Sequence, residues 1–229
     1  MAKHRFTRAP RFDVVRGALG VTVAVAAAFS GPAGAHAVTS PATPVVAAKL
    51  SSSQTHPENG KAGAVKVTAA QVLALAKAQV GTSEDASGGG TKFQRWYMDS
   101  PRALETVKRD GGSPQAYLNA AWCSMFVSWV GEESGARATV GWDAYTVAHA
   151  RWFAANKRFG VIAKPGAVVF FSWGGGKDLS DIQHVGFVVK DNHNGTISTI
   201  EGNTGNGRVE ERVRPKAQVV GYGYPEYAG

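Results

Sequence analysis

Cys123 is the only cysteine in the 229-residue sequence, and six histidines accompany it. A lone thiol can form no intramolecular disulfide and no multi-thiolate zinc site, which leaves inert burial or nucleophilic chemistry. Position favours chemistry. Trp122, Met125, Phe126, Trp129 and Val130 recur at helical spacing over 122–133. That puts Cys123 at a helix start, where unbonded N–H groups and the positive end of the dipole stabilise a negative sulphur. Such a nucleophile needs a base that is distant in sequence. His4 and His36 fall in a leader-like segment, His56 in a linker and His193 in a hairpin loop, leaving His149 within a helix and His184 at the head of a strand. The following strand ends Glu201-Gly202-Asn203, so a carboxylate and an amide are both candidates to orient the imidazole of His184.

The elements that must hold these residues follow from periodicity. Thr68 is a plausible N-cap for a helix carrying Ala69, Val72, Leu73, Ala76 and Val80 and ending by Gly81. Phe93, Trp96 and Tyr97 suggest a short helix or turn, and Tyr145, Ala148, Trp152 and Phe153 a helix over 145–156. After Pro165-Gly166 the pattern changes to short strands at 167–173, 182–190, 196–201, 208–213 and 219–224, with a hairpin loop over Asp191–Gly195. Helices first and consecutive strands afterwards imply an α+β domain, its N-terminal helices packed on an antiparallel sheet of about five strands.

Aromatic residues are absent between 38 and 92 and crowd the chain from Phe93 onward, so the packed core is C-terminal. At roughly 150 residues per domain the chain holds one folded domain, expected at 65–229, with appendages. Residues 1–37 combine a basic start, an apolar run from Gly17 to Phe29 and Ala35-His36-Ala37, the layout of a secretory signal peptide. The apolar run is shorter than the ~18 residues a spanning helix needs, so no membrane span is expected after its removal. Residues 38–64, rich in Pro, Ala and Ser, read as a flexible linker. Half of the net charge of +8 belongs to the leader. The mild surplus that remains suits an anionic cell wall and gives no reason to expect a nucleic-acid partner.

The stretches TKFQRWYM, AWCSMFVSWV, KPGAVVFF, HVGFVV, IEGN and VVGYGYP, in this order over about 68–226, resemble the CHAP family of cysteine, histidine-dependent amidohydrolases and peptidases. These are relatives of the papain-like and NlpC-like wall peptidases. The resemblance implies a papain-like fold, with Cys123 as nucleophile, His184 as general base, Glu201 as the residue orienting the imidazole and Asn203 as second polar partner. Where the family often has Pro before its Trp-Cys pair, this chain has Ala121. It further implies a secreted bacterial peptidoglycan hydrolase cutting an amide bond, either as an N-acetylmuramoyl-L-alanine amidase or as a peptide endopeptidase. A catalytically silent wall-binding module and an acyl-enzyme transferase are the alternatives.

Weaker signals complete the reading. Asn119, four residues before the nucleophile, is a candidate oxyanion donor, and Trp142, Tyr145 and Trp173 are candidates for the substrate cleft. Gly174-Gly175-Gly176-Lys177 lacks the Ser or Thr and the following helix of a phosphate loop and reads as a plain loop. Glu84, Asp85 and Asp99 lack the spacing of a loop-type calcium site, so no metal or other cofactor is expected, and the protein is expected to act as a monomer.

Overall fold

The computed structural model describes residues 65–86 and 90–229. The expected signal peptide, 1–37, and the expected linker, 38–64, lie outside the described residues.

Helix α1 (Ala69–Lys77) begins at the expected cap: the Thr68 hydroxyl accepts the Gln71 N–H at 3.2 Å, and the Gln71 amide oxygen accepts the Thr68 N–H at 2.9 Å. Helix α2 (Lys92–Met98) opens with the same reciprocal box, built from Thr91 and Gln94. Helix α3 (Pro101–Asp110) was not anticipated. Ser100 caps it, Pro101 starts it and Gly111 ends it at φ +83°, but it buries only Ala103 and Thr106 and so lacks the apolar stripe that periodicity detects. A 3-10 turn over Pro114–Asn119 leads to α4 (Cys123–Glu133), followed by the short α5 (Arg137–Val140) and by α6 (Thr146–Ala155).

Six strands follow: β1 (Phe159–Gly160), β2 (Val168–Phe171), β3 (His184–Asp191), β4 (Thr196–Glu201), β5 (Glu210–Pro215) and β6 (Val219–Gly223). They form one antiparallel sheet in the order β1-β6-β2-β3-β4-β5. The architecture is α+β, as the order of helices and strands implied. The strand missed in the sequence, β1, is two residues long, too short for alternation to register. Strand β5 starts later than expected because the preceding residues pair elsewhere: Arg208 bridges to Ser83, and the Val209 N–H bonds to Thr82 O at 2.9 Å.

Both faces of the sheet are buried. Val168, Phe170, Val185, Phe187 and Ile200 join the helices in the main core, while Val169, Phe171, Val188, Ile197 and Tyr222 form a smaller cluster on the other face. This explains why Val168-Val169-Phe170-Phe171 is apolar without alternation. Helix α4 is buried on nearly every side, including Ser124 and Ser128. Phe93 of α2 docks on it, with ring centroids 5.5 Å from Trp122, 5.2 Å from Phe126 and 5.1 Å from Trp129. Contacts of this kind add about 0.5–1.5 kcal/mol each beyond area burial, so α2 fixes the helix that starts with Cys123. At the far end of the domain, the Tyr227 hydroxyl donates to Gly166 O at 2.8 Å and the Ala228 N–H to Val67 O at 2.9 Å. Among the described residues no helix is long and apolar enough to cross a membrane.

Candidate active site

Cys123 is the first residue of α4 and is 3% exposed. The residue at its N-cap position, Trp122, offers no side-chain cap, and the earliest intrahelical bond runs from the Phe126 N–H to Trp122 O at 2.9 Å. The N–H groups of the first turn therefore have no acceptor within the helix. Trp122 is held in turn, since its indole N–H donates to Glu84 Oε1 at 2.7 Å. Glu84 is thus engaged in positioning rather than merely solvated. Gln94 of α2, 1% exposed, donates to Leu118 O at 3.0 Å and Ala120 O at 2.9 Å, tying down the segment that delivers Cys123.

His184 opens β3. Its Nε2–H donates to Glu201 Oε2 at 2.9 Å, and the neighbouring Cys123 side chain favours the charged form of the ring. Sheet register makes this geometry possible. Phe187 pairs with Ile200, so one step along the ladder Gly186 stands opposite Glu201, with His184 next on the same face. A Cβ on Gly186 would lie 2.6 Å from Glu201 Cγ, so only glycine lets the carboxylate pass over the strand to the imidazole. Gly202 serves the same end differently. A Cβ there would meet Phe126 Cβ at 2.6 Å and Trp122 at 2.8 Å, and its absence lets the end of β4 rest on the start of α4.

Glu201 is fully buried, and each of its oxygens is satisfied. Arg214 on β5 donates to it through Nε, at 3.0 and 3.1 Å, and through Nη2 at 2.6 Å, while the Thr199 hydroxyl donates at 2.5 Å. Burial works against the ionised form, but the hydrogen bonds from His184, Arg214 and Thr199 and the nearby positive charge outweigh it, and the Glu201 carboxyl is held down at about 2. For His184 burial disfavours the imidazolium, yet hydrogen bonds and charge from Cys123 and Glu201 prevail and raise it to about 9. Trp173, 42% exposed, flanks the pair: its ring lies 5.3 Å from that of His184, and the Arg214 guanidinium lies 4.9 Å from the indole.

These groups meet in a cleft of about 380 Å3 lined by Cys123, His184, Trp173, Gln183, Asn203 and Arg214, among others. Gln183 accepts the Trp173 N–H through Oε1 at 2.8 Å, which leaves its amide N–H groups as donors. Asn203 lines the cleft with φ +53°, but the imidazole N–H is taken by Glu201 rather than by Asn203.

Several residues singled out in the sequence lie elsewhere. Asn119 ends the 3-10 turn, is exposed and does not line the cleft, so the oxyanion role expected of it lacks a geometric basis. Gln94 holds the carbonyls on either side of it, fixing the backbone while the Asn119 side chain points to no partner in the cleft. Trp142 is half-buried beneath the Arg137 guanidinium at 4.4 Å, away from the cleft, and Tyr145 lines a separate cavity. His149 is fully buried, bonded to Ser124 Oγ at 2.9 Å and Val140 O at 2.7 Å, with burial lowering its basicity. It has no access to the cleft. Lys177 of the glycine loop donates to Ala217 O at 2.6 Å and Val219 O at 2.8 Å, a strand clamp rather than a phosphate site. Among the described residues no three His, Cys, Asp or Glu side chains are grouped as a metal site requires. Arg214, Thr199 and Gln94 went unnoticed in the sequence, because each reaches its partner through tertiary register or a turn carbonyl that local pattern does not reveal.

A thiol at a helix start, an imidazole at a strand start and a buried carboxylate behind it thus come together on an α+β frame. Residues 115–203 match the family model of the CHAP domain, a span that contains Cys123, His184, Glu201 and Asn203. Searches of curated proteins and of solved structures found no match.

Proposed function

We propose that the protein is a secreted peptidoglycan hydrolase that cleaves an amide bond of the bacterial cell wall through a thioester on Cys123. The observation that carries this reading is the series Cys123, His184 and Glu201, the first two lining a cleft and the third buried behind the imidazole, in a chain that matches a family whose members are generally cysteine amidohydrolases. His184 takes the thiol proton, the Cys123 sulphur attacks the amide carbon, and the oxyanion is received by N–H groups of the first turn of α4. The C–N bond then breaks and the imidazolium gives its proton to the departing amine. Water, deprotonated by His184, attacks the thioester, releases the carboxylic acid and restores the thiol. A histidine raised to about 9 stays protonated across neutral pH when paired with the thiolate, which equips it as the acid of the first step. The reaction as written needs neither metal nor organic cofactor, and a single chain supplies every group.

Digestion of purified peptidoglycan tests the reading. The full chain should release soluble fragments and Cys123→Ala should release none; equal release by both overturns it. Mass analysis of the fragments separates an amidase, which frees whole stem peptides, from an endopeptidase, which leaves glycan-linked peptides with new amines.

A further inference from the structure

Arg214 is the one permanently charged residue among those lining the catalytic cleft, and Glu201 uses only part of it. A guanidinium carries five N–H donors in a rigid plane, enough for a two-pronged fork on each of two edges. Nε and Nη2 form the first fork, on Glu201, at 3.0, 3.1 and 2.6 Å. The second joins Nη1 to the other N–H of Nη2, and nothing among the described residues accepts from Nη1. That nitrogen is not sealed in. Among the described residues the buried side-chain polar atoms without a partner are Glu132 Oε2 and Arg212 Nε, and the Arg214 side chain is 22% exposed, so Nη1 faces solvent.

The surroundings fix this fork and leave its charge unanswered on the cleft side. Arg214 is held by Glu201, by its pairing with Ile197 in the sheet and by the Trp173 ring 4.9 Å away. Glu210 lies on the same face of β5, but it accepts from Arg212 and from the Thr204 hydroxyl, the latter at 2.6 Å. Among the described residues no carboxylate lines the cleft, and the amide of Gln183 offers further N–H donors. A pair of parallel donors with a positive charge matches the two oxygens of a carboxylate. Position narrows the match. The guanidinium and the His184 imidazole lie against one indole, at 4.9 and 5.3 Å, so a group on the fork belongs to a substrate residue adjoining the amide that Cys123 attacks.

We propose that Arg214 is a specificity-determining residue whose second fork binds a carboxylate beside the scissile amide. The protein then cuts substrates with a free acid at that place and discriminates against the corresponding carboxamide. A carboxamide presents one acceptor oxygen and turns an NH2 group toward a donor, which loses one bond of the fork and the charge together. The inference rests on the amide-hydrolase reading and adds what the substrate must carry.

Two measurements test it, and the first needs no hydrolysis. In Cys123→Ala the Trp173 indole N–H resonance should shift on titration with N-acetylglycine, whereas N-acetylglycinamide should need a roughly tenfold higher concentration or leave it unmoved. Adding Arg214→Lys should abolish that preference. Equal response to both compounds, or response to neither, overturns the assignment. The second measurement compares untreated peptidoglycan with peptidoglycan whose carboxylates have been converted to carboxamides by ammonia and a carbodiimide. The full chain should lose roughly tenfold or more of its kcat/KM on the amidated wall. Arg214→Lys keeps a cation for Glu201 but has no second fork, and it should cut the two walls at similar rates. Because the ratio is taken within one protein, any rate lost through Glu201 cancels. Equal cutting of both walls by the full chain overturns the carboxylate, and an unchanged preference in Arg214→Lys overturns the role of Arg214. A full chain that cuts neither wall defeats the hydrolase reading, and the titration still decides the carboxylate site.

Discussion

Fully buried Glu201 accepts hydrogen bonds from three side chains, and together with Cys123 it raises His184. In the proposed reaction, kcat/KM of the wild type should fall as pH rises through about 9, where the imidazolium is lost. Because Glu201 raises the histidine, Glu201→Gln should move that alkaline limb to lower pH and cut the rate by roughly 10²–10⁴-fold, while Asn203→Ala should cost less and leave the limb in place. Paired pH–rate curves measure both, and a silent Glu201→Gln beside a crippled Asn203→Ala would reverse the assignment. Gly186→Ala is a steric version of the same experiment. Its methyl group must displace Glu201 from above the strand, so activity should drop sharply with a stability loss of about 1–3 kcal/mol by thermal denaturation. Cys123 stands out in the sequence as the sole thiol and His184 as a histidine at a strand start, but strand-end position leaves Glu201 and Asn203 equal candidates, and only the family resemblance separates them. The partner of the carboxylate could not be named from the sequence. Arg208 is the nearer base in sequence, but it bridges to Ser83, and Arg214 reaches Glu201 from the pair formed with Ile197.

Helix α4 depends for its placement on an element whose importance local pattern understates. Helix α2 is only seven residues long, yet its Gln94 caps its own helix and holds two carbonyls of the segment before Cys123. Replacing that amide with an apolar group of similar size removes all three bonds. Gln94→Leu should therefore lower stability by about 1–3 kcal/mol and reduce kcat more than KM, which steady-state kinetics beside a melting curve would reveal. An unchanged kcat would make Gln94 purely structural. Elements with an apolar stripe or a β-branched run, namely α1, α4, α6 and strands β2 to β4, were legible because burial is written into their composition. Helix α3 was not, although Ser100-Pro101 and Gly111 mark both its ends, because its surface is mostly polar and its buried residues, Ala103 and Thr106, are small or polar. End signals without a stripe carry too little weight in a reading led by hydrophobic period.

At the scale of the whole molecule, the sheet carries one core against the helices and a second on its other face, and the cleft opens where β3, β4 and the start of α4 meet. The proposed export adds a prediction for the chain outside this domain: N-terminal sequencing of secreted protein should begin at Val38, and a cell-bound form retaining Met1 would count against a cleaved leader. The described domain also begins and ends in one place, for Val67 and Ala228 are joined by a single hydrogen bond of 2.9 Å. Contact of this sort makes the order of the elements along the chain separable from their arrangement in space. A short glycine bridge across the old ends, with new ends opened at the exposed Asn194-Gly195 tip of the β3–β4 turn, should give a circularly permuted domain with the same cleft. By the same geometry the folded unit could be spliced into a surface loop of a host protein, entering and leaving through a gap no wider than one strand spacing.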